Sequence, residues 1–121
     1  MQRVNLDTHI LFFIIENALK KRERDILISH DWCICPIVLW ELAMLSDFGR
    51  IDFDFDAEDV RDLMNKVEVL ALDANVARQS RGLDISSDPA DELIAATSVV
   101  HNIPLLTRDS KIRSSKMVPL A

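Results

Sequence analysis

A chain of 121 residues with 49% hydrophobic content has enough apolar material for one core without staples, so a single domain over residues 1–121 is expected. Fourteen Lys and Arg against twenty Asp and Glu leave a net charge of −6, which excludes a global pull toward nucleic acid or an anionic membrane; a polyanionic partner must be held locally. The two cysteines, Cys33 and Cys35, are too few for a zinc site and too close for an unstrained bridge along a strand, so they read as buried free thiols in a reducing cytoplasm.

In chain order, "RVNL" (Arg3 to Leu6) reads as a first strand. "THILFFIIENALKKRERDILIS" reads as one helix, or as two with a break near Asn17. Its apolar run, Ile10 to Ile15, is shorter than the ~20 residues a spanning helix needs and lacks a small-residue cleavage site, so neither a membrane span nor a signal peptide is expected. "WCICPI" is a second strand entering the helix "PIVLWELAMLSDF", with Pro36 suited to a first helical turn and Gly49 to a stop.

In "IDFDFDAEDVRDLMNKV", Asp52, Asp54 and Asp56 alternate with apolar residues before a helix rich in N-terminal acids. A calcium loop is rejected, because its sixth and twelfth positions would hold Ala57 and Leu63 in place of Gly and Glu. "VEVLAL" is a further strand and "DANVARQSRGL" a short helix. In "DPADELIAATSVVHN", Asp88 has the chemistry of an N-cap, Pro89 fits the first helical position, and Asp91 falls at the third; Glu92 reads as solvated. Asn102 suits a left-handed stop, and Pro104 opens the strand "PLLT", on which Leu105, Thr107 and Asp109 would share a face. Alternating strands and helices of this kind specify a three-layer α/β/α sandwich with a mainly parallel central sheet.

Four acids stand out. Asp7 and Asp109 end strands, Glu41 lies just over a turn into the helix after a strand, and Asp91 opens a helix. In a parallel sheet the carboxyl ends of strands form the binding edge, so at least Asp7 and Asp109 are expected to converge there. Each has a structural alternative: Asp7 and Asp91 could cap helices, and Asp88 reads as a cap alone. Glu41, between Trp40 and Leu42, is harder to dismiss, because an unpaired buried carboxylate is costly. If all four meet, raised pKa values or a cation must relieve their repulsion, and hard oxygen ligands favour Mg²⁺ or Mn²⁺. His9, His30 and His101 are scattered and receive no catalytic role. Thr8 either caps or adds a hydroxyl to the site. "RDSKIRSSK" (Arg108 to Lys116) carries a local charge of +3 and is either an RNA-backbone contact or a solvated strand end.

"NLDTHIL", "VLWELAML" followed by "GRI", "DPADELIAATSVV" and "PLLTRDSKI" resemble, in order, the motifs of the PIN domain as found in VapC-like toxin ribonucleases of bacterial toxin and antitoxin pairs. The resemblance runs from about residue 4 to 118. It implies a PIN-like fold in which Asp7, Glu41, Asp91 and Asp109 are the metal-site acids and Thr107 the accompanying hydroxyl. It further implies Mg²⁺- or Mn²⁺-dependent hydrolysis of RNA, a homodimer through the first-helix region, and an antitoxin that covers the acids. Two departures stand out: Asn102 where many relatives have Gly, and an end at "MVPLA" that leaves the last sheet edge open to question. The competing readings are a PIN-like domain that only binds, and a receiver-like phospho-acceptor domain. The receiver reading is disfavoured because Asp7 is followed by Thr8 and no acid ends "WCICPI".

Overall fold

The computed structural model covers residues 1–121. Its elements are β1 (Arg3–Leu6), α1 (Thr8–Ile15), α2 (Lys21–Ile28), β2 (Asp31–Ile34), α3 (Ile37–Asp47), α4 (Glu58–Lys66), β3 (Val67–Val69), α5 (Ala74–Ser80), α6 (Pro89–His101), β4 (Leu105–Leu106) and α7 (Ser110–Arg113). The four strands form one sheet in the order β3-β2-β1-β4, and every pairing is parallel. The chain therefore builds outward from β1 through β2 to β3, then returns to lay β4 on the other side of β1. That reversal makes the carboxyl ends of β1 and β4 a topological switch point, where α/β sheets open a crevice.

Three helix ends explain how so short a chain turns so often. Asn17, Gly49 and Asn102 all have positive φ, at 54°, 71° and 52°. Each closes its helix with the paired bonds of a Schellman turn: Ala18 N–H to the Phe13 carbonyl, Arg50 N–H to that of Leu45, and Ile103 N–H to that of Ser98. The break at Asn17 thus divides the first helical pattern into α1 and α2. At Asn102 an asparagine serves where Gly is common, because its short polar side chain tolerates the left-handed region.

Val4 and Leu6 of β1, Ile34 of β2 and Leu105 and Leu106 of β4 form the apolar centre with Ile10 and Leu11 of α1, Val38 and Leu42 of α3, and Ile94 and Ala95 of α6. The edge questioned from the sequence is covered: Leu105 N–H donates to the Pro119 carbonyl, Ala121 N–H to that of Leu105, and Leu105 and Leu120 form a parallel bridge. No helix is long and apolar enough to cross a membrane.

One buried polar residue sets the position of α6. Asn5, at the centre of β1 and wholly buried, donates through Nδ2 to the Ile94 carbonyl (3.1 Å) and to Ser98 Oγ (3.0 Å). The two bonds satisfy the Nδ2 end of the amide, while the buried Oδ1 meets no protein donor; they tie the sheet to one place on the helix and fix where the first turn of α6 emerges. Asn5→Ala, which removes both bonds and leaves a small void, is expected to cost about 2–3 kcal/mol by urea unfolding. An unchanged midpoint would show that α6 is positioned by apolar packing alone.

Candidate functional site

Asp7 follows β1 directly and Thr107 follows β4; because Leu6 pairs with Leu106, the two residues leave the sheet side by side. Thr107 donates its hydroxyl to Asp7 Oδ2 (2.5 Å), and the Thr8 N–H donates to Asp7 Oδ1 (2.8 Å), so both oxygens of a carboxylate only 6% exposed are held. Thr8, also buried, donates its own hydroxyl to Glu41 Oε1, which draws the fifth residue of α3 toward the end of β1. Asp91, on the first turn of α6, accepts from Ser87 Oγ through Oδ2 (3.0 Å). Asp109 caps α7 by accepting from the Ile112 N–H through Oδ1 (3.0 Å).

These four acids line one cleft of about 360 Å³ together with Asp88, His9, Ile10, Phe13 and Arg108. A larger, shallower depression of about 690 Å³ over α2 has only Asp25 as an acid and gathers no comparable chemistry. In the cleft, Glu41, Asp91 and Asp109 each have one oxygen engaged by the protein and the other turned to no protein donor.

Several expectations from the sequence are corrected here. The last strand ends at Leu106, so Thr107 and Asp109 do not share a strand face. The Thr107 hydroxyl instead accepts from the Asp109 N–H (3.0 Å) while donating to Asp7, and this local turn, typical of a hydroxyl side chain, diverts the chain into α7. Thr107 therefore positions two acids and has no proton to spare for chemistry. Asp88 occupies the N-cap position of α6 but makes no capping bond; it faces the cleft. Asp91 bonds to a hydroxyl and not to the N-cap N–H, so the capping-box alternative fails for it. Glu92 is buried, 8% exposed, because α5 packs against α6 and brings Arg81 to it at 3.1 Å. Arg108 folds back onto Glu23, so the segment from Arg108 to Lys116 does not act as one basic stretch.

Electrostatics follow from this crowding. Burial pushes the Asp7 carboxyl above its usual range, against the opposing hydrogen bonds from Thr107 and Thr8, and Glu41 adds to the rise. Asp91 is pushed up to about 6, first by burial and then by the charges of Asp7, Asp109 and Asp88, while Ser87 pulls the other way. Carboxylates held apart from water and facing one another favour a cation. No three acids, imidazoles or thiols close on one point as a finished coordination set. The donors instead suit a hard ion that keeps several waters and borrows one or two carboxylates, which is the habit of Mg²⁺ and Mn²⁺.

His9, to which the sequence assigns no catalytic role, lines the cleft. The available signal was its place two residues after Asp7 and four before Phe13, on the helical face that meets the site; its ring lies 6.2 Å from that of Phe13.

The PIN domain family matches residues 4–116. The chain is 29% identical over 122 residues to Ribonuclease VapC22 of Mycobacterium tuberculosis, covering 96% of this chain and 94% of that protein. Its fold is similar to a chain in the crystal structure of DNA-bound VapBC from Salmonella typhimurium (TM-score 0.71, 21% identity, 100% of this chain and 98% of that one). It is similar also to a chain in the crystal structure of VapBC2 from Rickettsia felis bound to a promoter DNA fragment (TM-score 0.71, 19% identity, 99% and 98%).

The raised pKa of Asp91 carries a signed consequence. Between the unfolded value of 3.8 and about 6 the folded chain holds a proton that the unfolded chain releases, so this group costs stability at neutral pH and the cost fades as pH falls through 6. Without metal, Asp91→Asn is expected to melt above the wild type at pH 7.5 by roughly 3–6 °C, about 1 kcal/mol after allowance for partial exposure. The gap should fall to about half by pH 5 and close only as pH nears the unfolded value of 3.8, and saturating Mn²⁺ should reverse it at pH 7.5. A gap independent of pH, measured by thermal melts of both proteins, would refute the assignment.

Proposed function

The chain belongs to the PIN domain family, and on that footing we propose that it is a divalent-metal-dependent endoribonuclease and the toxin of a toxin and antitoxin pair. The observation that carries this reading is the cleft at the β1/β4 switch point, where Asp7, Glu41, Asp91 and Asp109 arrive from four separate elements, the last three each with an oxygen that meets no protein donor. The ribonuclease name of the relative and the toxin and antitoxin complexes among the similar structures support it.

The residues would act as follows. Asp7, clamped by Thr107 and Thr8, and Asp91, anchored by Ser87, hold Mg²⁺ or Mn²⁺. The bound ion supplies a Lewis acid for the phosphoryl oxygen and lowers the pKa of a water. Glu41 and Asp109 present their free oxygens to water, orienting the nucleophile and taking its proton. The fixed carboxylates need no rearrangement as charge develops, which is where an organised site gains most of its rate.

The reading extends to partners. An antitoxin that places a basic side chain among the acids would compete with the cation for the same field, so inhibition requires no conformational change. A homodimer through the α1 region uses Phe12, Phe13, Ile14 and Ile15, which the core covers only in part. A cytoplasmic location accords with the two free, buried thiols.

Purified protein incubated with RNA and Mn²⁺ or Mg²⁺ is expected to cleave it, and chelation to stop cleavage. Asp7→Asn and Asp91→Asn should each lower the rate by at least ~100-fold while retaining native circular dichroism. Wild-type cleavage by a folded Asp91→Asn protein would remove that residue from the site.

A further inference from the structure

A second cavity of about 280 Å³ adjoins the acidic cleft and has the opposite sign. It is lined by Lys20, Arg22, Glu23, Thr107, Arg108 and Arg113, with no apolar residue. Arg108 belongs to both cavities, and Thr107 lines the basic one while its hydroxyl holds Asp7 of the acidic one. The two spaces therefore meet at a wall two residues thick in sequence.

The single acid of the basic cavity is fully engaged. Glu23, 4% exposed, accepts from Arg108 Nε (2.8 Å) and Nη2 (2.7 Å), and from the Lys20 N–H (2.8 Å). Arg108 is further fixed by the Ala18 carbonyl (3.0 Å) and by the Phe13 ring, 3.9 Å below the guanidinium carbon. Glu23 and Arg108 thus neutralise each other and form a rigid floor. Lys20, Arg22 and Arg113, all exposed, supply the charge that the cavity presents, with Arg22 Nη2 also donating to the Ala121 backbone oxygen and Arg113 Nη1 to the Thr107 carbonyl (3.4 Å). Lys20 and Arg22 come together from the start of α2, and Arg113 from the end of α7, a segment remote in sequence.

Taking the nuclease reading as its premise, we infer that this basic cavity is a phosphate subsite. It binds a backbone phosphodiester of the RNA strand next to the one held in the acidic cleft. In a chain of net charge −6, whose cleft repels polyanions, such a subsite supplies the local attraction that binding requires. It also sets which bond is cut, because a strand anchored at one phosphate places its neighbour over the acids.

The test is fluorescence anisotropy with a short labelled oligouridylate in EDTA across a salt series, comparing wild type with Lys20→Gln/Arg113→Gln. The control is Lys111→Gln/Lys116→Gln, which removes equal charge from exposed positions outside the cavity. The cavity variant is expected to bind roughly tenfold more weakly, with the slope of log K against log salt reduced by about 1.4, or about 0.7 for each lost single-strand contact. The control should shift far less. Equal effects of the two variants, or none from the cavity variant, overturn the subsite. An unchanged Mn²⁺ melting shift confirms that both remain folded with the acids in place. Should the double variant misfold, Lys20→Gln alone is expected to show about half the slope change, and an unchanged slope overturns the subsite. If wild type cleaves RNA and the cavity variant behaves as wild type, the subsite fails and the nuclease reading stands. If wild type neither binds nor cleaves RNA, both fail.

Discussion

The Asp7 carboxylate, almost wholly buried between the Thr107 hydroxyl and the Thr8 N–H, is the constraint around which the rest is arranged. Those two donors lie just past the carboxyl ends of β4 and β1, so the pairing of the two strands and the orientation of the acid are one structural fact. Two hydrogen bonds do not fully offset the loss of water, and Asp7 stays above the usual carboxylate range. Everything placed nearby with negative charge adds to that cost.

The chain nevertheless adds more. Thr8 brings Glu41, Asn5 fixes the helix that carries Asp91, and the Thr107 turn delivers Asp109. Each is held through one neutral donor, which positions the carboxylate without neutralising it. Where charge is of no use in the cleft, the same chain does neutralise it: Glu92 meets Arg81, and Glu23 meets Arg108. A folded state that leaves several acids unneutralised in one cleft, while pairing buried acids elsewhere, gives up stability there, as the proposed cation site would require.

Much of this was legible in the residues. Strand and helix alternation specified the parallel sheet, and the helix-ending roles of Gly49 and Asn102 followed from the missing Cβ of the one and the short polar side chain of the other. The acids Asp7, Glu41 and Asp91 reached the cleft from the positions their motifs implied. What stayed hidden depended on contacts between segments remote in sequence. Period-two spacing extended the last strand through Asp109, because nothing local shows that the Thr107 hydroxyl would find Asp7, a hundred residues away. Glu92 read as solvated because its partner comes from the end of another helix. The local charge of Arg108 to Lys116 concealed that Arg108 turns inward to Glu23 and that Lys20 and Arg22 supply the missing part of a basic cavity.

The central claim is that these carboxylates form one cation site. Anomalous diffraction from crystals of the protein soaked in Mn²⁺ tests it most directly. The account predicts a peak inside the cleft bounded by Asp7, Glu41, Asp91 and Asp109, absent from crystals of Asp91→Asn under the same soak. A peak confined to the surface acids Asp52, Asp54 and Asp56, or an undiminished cleft peak in the Asp91→Asn crystals, would contradict it.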